Sequence, residues 1–211
     1  MSRTPAVTGP EKTESPQVVA DVLDWISGFI MQPHPDLGRK GAVCPFMDRA
    51  MKHGRVLVNP VRIGAESDVP RLRAATREWL GRIRNASHGG EEYESVVFVP
   101  FGGDEDFLRE TVTRVQAELR FEALEQGVMV GEFYPGHEAS AIHNGEFRPL
   151  RSPRPILGIR SMVETDIYFL RLDTGSELDR RRCLAVWHRF FGTTAAEPLL
   201  SLYTEALEVA A

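Results

Sequence analysis

The sequence predicts a single-domain α/β protein: a central mixed sheet containing a βαβ unit, flanked by helices. Three observations carry that reading. The chain has 211 residues of which 42% are apolar, enough for one substantial core. Helical and extended signals alternate along its length, and no internal repeat or linker divides it. The run Ser95-Val96-Val97-Phe98-Val99-Pro100 is continuously apolar, as in a strand buried on both faces, and it precedes a long amphipathic segment and a second apolar run, Val128 to Phe133.

Residues 1–15 are rich in Ser, Thr, Pro and Glu and read as a disordered tail, with one domain over 16–211. Ser15-Pro16 has the form of an N-cap followed by proline at the first helical position. Val19, Val22, Leu23, Ile26 and Ile30 then share one face of a helix over 16–32. Phe46 to His53 predicts a short helix closed by Gly54, and Val56-Leu57-Val58 a strand ended by Asn59-Pro60. A helix over 68–85 turns Leu72, Trp79, Leu80 and Ile83 inward.

Asp104 caps the long segment after strand 95–100, where Leu108, Val112, Val115 and Leu119 recur at helical spacing up to Gly127. Strand, helix and strand in this order imply a parallel pair with a right-handed crossover. The region 134–154 is a long loop with Gly, Pro, His and Arg, of a length that is commonly functional. A strand over 156–160, and helices over 162–170, 178–191 and 195–209, complete the chain.

Charge and cysteine content narrow the function classes. A net charge of −5 and a pI near 5.7 with scattered basic residues argue against nucleic acid as a partner. All but three of the 25 basic residues are arginine, so no single arginine is diagnostic. Two cysteines without a C-x-x-C pair do not make a disulfide framework, and no apolar run is long enough to span a bilayer, which together predict a cytoplasmic protein away from membranes. Spacing for zinc, a Walker loop, a dinucleotide fingerprint and a G-x-S-x-G elbow is lacking; Asp104, Glu105 and Asp106 after Gly102-Gly103 read as helix capping. Nothing in the sequence determines the oligomeric state.

The pair Cys44-Pro45 stands where a Gly- and Pro-rich loop turns into a helix. A thiol at a helix N-terminus has its thiolate favoured by free N–H groups and aligned peptide dipoles. Cys44 is therefore a candidate haem or metal ligand, a candidate nucleophile, or a small buried residue, whereas Cys183 sits in an apolar helix face and reads as core. His34 and His137 lie in loops, free to act as proton donors or second ligands, while His143 is undecided.

Two segments carry a family resemblance: His34-Pro35-Asp36-Leu37-Gly38-Arg39 through Val43-Cys44-Pro45-Phe46, and Gly131-Glu132-Phe133-Tyr134-Pro135-Gly136 with Pro149-Leu150-Arg151-Ser152-Pro153-Arg154-Pro155. Together they resemble the DUF6875-like family of actinobacterial and related proteins, often found near natural-product genes. More remotely, the Cys-Pro-Phe cluster leading into a short helix, a glycine and a strand resembles the YqcI/YcgG proteins, some of which are haem-dependent N-hydroxylases. That likeness implies haem bound through Cys44, with Arg39, Arg151 and Arg160 on propionates or a substrate carboxylate. It also implies His137 as distal proton donor with His34 as a further catalytic histidine, a small nitrogen-containing substrate and a redox partner. Two other readings stand beside it: a non-enzymatic ligand-binding or interaction domain, and a cysteine-nucleophile enzyme with His34 or His137 as base.

Overall fold

The computed structural model describes residues 11–88, 93–172 and 175–209. Seven α-helices and a four-stranded sheet make up the α/β fold among these residues: α1 Glu11–Trp25, α2 Pro45–Lys52, β1 Val56–Arg62, α3 Val69–His88, β2 Ser95–Phe101, α4 Glu105–Glu125, β3 Val128–Phe133, β4 Ile156–Ser161, α5 Ile167–Leu170, α6 Glu177–Phe191 and α7 Glu197–Val209. Most of the expected tail lies outside the described residues.

The sheet order is β1-β2-β4-β3. β1 and β2 are parallel and adjacent, with α3 as their connection, so the direct βαβ unit is the one before the expected one. β2 and β3 point the same way but do not pair: β4 lies between them, antiparallel to both. This corrects the parallel pair expected from strand, helix and strand. The apolar patterns identified the strands and the connecting helix but carried no register, and a later strand took the place between them.

Two further elements differ from expectation. β1 continues through Pro60 to Arg62 because it is an edge strand, where a residue without an N–H donor can face away from its one partner. The first helix begins at Glu11, so that Pro16 lies inside it and does not start it, and it passes at Ile26 into a π-helical turn, Ile26–Ile30.

Alternation along the strands sends side chains to two separate cores. Val96, Phe98, Leu157, Ile159, Val128 and Val130 face α3 and α4, where Leu72, Leu80, Ile83, Val112, Val115 and Leu119 are fully buried. Val97, Val99, Phe101 and Ile156 face α1 and its π-turn, with Met47 and Met51 of α2 packed alongside. A third cluster, built on Leu184 and Trp187 of α6, is held to the chain after β4 by Trp187 Nε1 donating to the Glu164 carbonyl at 2.8 Å. Cys183 belongs to this cluster and is fully buried, as expected.

Candidate functional site

A closed loop carries the cysteine. Its two limbs run antiparallel, with a bridge between Pro33 and Ala42, Val43 N–H donating to the Gln32 carbonyl at 3.0 Å and Cys44 N–H to the Ile30 carbonyl at 2.9 Å. Arg39 holds the bend from within, its guanidinium donating to the carbonyls of Lys40 and Val43 at 3.0 Å each. His34 and Cys44 thereby stand on opposite limbs of one loop.

Cys44 is the N-cap of α2. Its extended backbone turns the side chain toward the helix end, where Sγ accepts the Met47 N–H at 3.5 Å, and Pro45 takes the first helical position. The sulphur is free and only partly buried. On the neighbouring sheet face, the Arg160 guanidinium lies 4.9 Å above the Phe46 ring and forks onto Asp166 at 2.5 and 2.8 Å. Asp166 is 1% exposed and also accepts the Val163 N–H. Burial of the guanidinium opposes its charge, yet Asp166, by charge and hydrogen bond, and then Cys44, by charge, raise its pKa above the ordinary arginine value. The carboxylate partner expected for Arg160 is thus an internal one. Asp166 was missed in the sequence, where it falls inside the helix expected over 162–170; that stretch is a 3-10 turn, Glu164–Asp166, ahead of α5.

The 134–154 loop reaches back to the cysteine loop. Asn144 Nδ2 donates to the Asp36 carbonyl at 2.8 Å, and Gly38 lies directly against His143. His34 stacks on Phe147 with ring centroids 4.4 Å apart and meets Phe29 edge-on at 5.9 Å. Its Nδ1 accepts the Asp36 N–H at 3.2 Å, so in the neutral ring the proton sits on Nε2. His143, undecided from sequence, meets the Tyr168 ring at 6.1 Å, just after the buried Asp166.

His137 and Arg151 occupy another place. Arg151 donates to the His137 carbonyl at 3.1 Å and to Glu138 at 3.0 Å, and its own carbonyl accepts from Trp25 Nε1. His137 is 7% exposed; its Nδ1 accepts the Ala139 N–H, and its Nε2 stands 3.7 Å from a Glu132 oxygen without a hydrogen bond. Arg160 pairs in register with Met129 at the start of β3, whereas His137 follows the strand's far end, so about 13 Å of strand separates the two positions. Arg160, over the Phe46 ring next to Cys44, therefore lies near one end of the sheet and His137 with Arg151 near the other, while His34 joins the Phe29–Trp25–Phe133 run of rings between them.

Among the described residues, no group of three or more His, Cys, Asp or Glu side chains is placed to hold a metal ion, and no helix is long and apolar enough to cross a membrane.

Fold and site define a single-domain α/β protein in which a thiol at a helix start and a half-buried cation lie near one end of a mixed sheet, with an oriented imidazole on the same loop as the thiol. The model of the domain of unknown function DUF6875 matches residues 19–199, and the chain belongs to that family. No curated protein matches it, and no solved structure does.

Proposed function

We propose that the chain is an enzyme in which the Cys44 sulphur ligates haem and a small nitrogen-containing metabolite is oxidised by N-hydroxylation or a related N-oxygenation, in the cytoplasm and within natural-product biosynthesis. The observation that supports this reading is the setting of Cys44: a partly exposed thiol that accepts a helix-terminal N–H and lies within the field of the Arg160 cation. A metal is bound by the thiolate form of cysteine. The remote likeness to YqcI/YcgG N-hydroxylases supports the choice of haem.

Haem bound there would supply oxygen activation, which a thiolate ligand favours by donating electron density to iron. The chain's own residues do the rest. Met47 N–H holds the sulphur at the helix start, and Asp166 keeps Arg160 charged and fixed. His34 holds a proton on Nε2 for delivery, and the Phe147 and Phe29 rings beside it fix the plane of the imidazole. Arg39 and Arg151 are engaged on backbone carbonyls, so in this reading they hold the two loops, and His137 is a further candidate donor. The oxidation draws its electrons from a redox partner.

The test is the absorption spectrum of protein produced with a haem precursor, with and without reductant and carbon monoxide. A thiolate-type spectrum that is lost in Cys44→Ser supports the proposal, and absence of haem uptake by the wild-type chain rejects it. The same setting also favours a second reading, Cys44 as a nucleophile with His34 as base. A protein without haem whose turnover is abolished by stoichiometric alkylation of Cys44 would establish that one.

A further inference from the structure

His137 is the most enclosed titratable side chain of the 134–154 loop, and its two ring nitrogens have different neighbours. Nδ1 accepts the Ala139 N–H at 3.1 Å, which closes the turn 137–139. Nε2, buried and without a hydrogen-bond partner, stands 3.7 Å from a Glu132 oxygen. Glu132 is half-buried near the end of β3, and among the described residues His137 is its one ion-pair partner.

The two contacts belong to different protonation states. In the neutral ring, Nδ1 has a lone pair for Ala139, and the proton is on Nε2, where the carboxylate is too distant for a hydrogen bond. In the imidazolium both nitrogens are donors. Nδ1–H then meets the Ala139 N–H donor against donor, while the charged Nε2–H is drawn to Glu132, which needs a shift of only about 1 Å to reach charge-assisted hydrogen-bond distance. The turn and the ion pair therefore exclude each other.

The charged groups on the surrounding elements are taken up by one another. Within the loop, Arg148 and Arg151 are engaged by Glu138. From α4, which shares a depression with Tyr134 and Gly136, Arg109 is paired with Asp106 and Glu110, and Arg114 with Glu66. From α1, Asp21 holds Arg154. Tyr134 contributes its ring, packed on the imidazole with centroids 4.5 Å apart.

The turn is also the anchor of its loop. Glu138 lies inside it, Arg151 donates to the His137 carbonyl at 3.1 Å, and the Arg151 carbonyl accepts from Trp25 Nε1 of α1. Farther along the same loop, Asn144 and Phe147 touch the cysteine loop.

We propose that His137 and Glu132 form a pH-operated latch on the 134–154 loop. On the alkaline side the neutral ring holds the Ala139 N–H and the turn is closed. As pH falls through the range in which histidine gains its proton, about 8 to 5, the imidazolium leaves Ala139 for Glu132 and the turn opens. The latch rests on the surroundings of His137 and is independent of the chemistry assigned to Cys44.

The experiment is a pH titration of the full isotope-labelled chain from about pH 8 to 5, following the His137 ring nitrogens and the Ala139 amide by NMR. The expected result is one common midpoint for protonation of Nδ1 and loss of the Ala139 hydrogen bond. Hydrogen exchange of that amide, corrected for its intrinsic pH dependence, should be about tenfold or more faster on the acid side. Glu132→Gln should move both events together to lower pH, because a carboxylate favours the charged ring. His137→Asn, whose amide oxygen can accept the Ala139 N–H in any state, should keep the turn closed throughout; circular dichroism controls for folding. An Ala139 amide that ignores the His137 titration rejects the proposal, as does a ring that stays neutral down to about pH 5. A midpoint unmoved by Glu132→Gln rejects it as well, and this variant decides alone if His137→Asn does not fold. Acid opening that persists in folded His137→Asn would assign the switch to another group and also reject it.

Discussion

Gly38 and His143, more than a hundred residues apart in sequence, are pressed together so closely that a Cβ on Gly38 would lie 2.8 Å from the His143 Cβ and 2.9 Å from its carbonyl oxygen. Gly38 also has a φ of 74°, a left-handed conformation that side chains resist. This contact joins the cysteine loop to the 134–154 loop.

Gly38→Ala should therefore cost about 2–4 kcal/mol, the left-handed penalty of about 1–2 kcal/mol plus displacement of His143 backbone. Urea denaturation measures it. Gly81→Ala is the control: Gly81 lies within α3 with open space around its Cα, and its replacement should stabilise by about 0.5–1 kcal/mol.

Arg160→Met should destabilise the fold by about 3–5 kcal/mol, because Asp166 at 1% exposure would be left buried without its counter-charge. The double variant Arg160→Met with Asp166→Leu should recover most of that loss. A double variant as unstable as the single one would show that the guanidinium matters through packing on Phe46.

Iodoacetamide should modify the native protein once, at Cys44, since Cys183 is fully buried. Denaturant should make both thiols reactive. Peptide mass spectrometry distinguishes the sites, and labelling of Cys183 under native conditions would mean that the α6 cluster opens. Cys44→Ser should fold to within about 1 kcal/mol of the wild type, because serine is itself a strong N-cap.

Acid should weaken the α3–α4 contact. The Glu118 carboxyl is held below its ordinary value of 4.5, first by the hydrogen bonds from Arg73 at 2.6 and 3.0 Å, with partial burial opposing and the charges of Arg73, Arg114 and Arg77 assisting. A folded value below the unfolded one gives stability that is complete above about pH 4.5 and fades as pH falls through the lower, folded value. Both side chains are partly solvated, so the contribution is under about 1 kcal/mol. Comparing urea midpoints at about pH 7 and pH 3, the wild type should lose more than Arg73→Gln; equal losses would assign the acid sensitivity to other carboxylates.

Periodicity made the layers legible. The inward faces of α3 and α4, the strand runs, the Asp104 cap and the burial of Cys183 all follow from patterns local in sequence, where each residue's neighbours in the chain decide its face. Placement between distant segments did not follow. No local signal distinguishes a β3 beside β2 from a β3 with β4 inserted, nor Arg160 on a ligand from Arg160 on Asp166, because both alternatives satisfy the same polar and apolar pattern. The candidate site divided accordingly: the cysteine loop could be read from its own prolines and glycines, while the distance of His137 from Cys44 depends on the strand register.

The insertion of β4 between β2 and β3 fixes the order in which a growing chain can become native. β1, α3 and β2 can assemble as soon as they leave the ribosome, but β3 has no partner until Ile156 to Ser161 arrives, since β4 is the strand to which it bonds. During synthesis at about 5–20 residues per second, the whole backbone of β3 stays open to foreign strands while the 134–154 loop and β4 emerge, and one edge of β2 stays open for longer, through α4 and β3 as well. Truncation between Phe133 and Ile156 leaves the chain in that adhesive state permanently, so fragments ending within the loop should accumulate as aggregates, whereas fragments that extend past β4 can close the sheet.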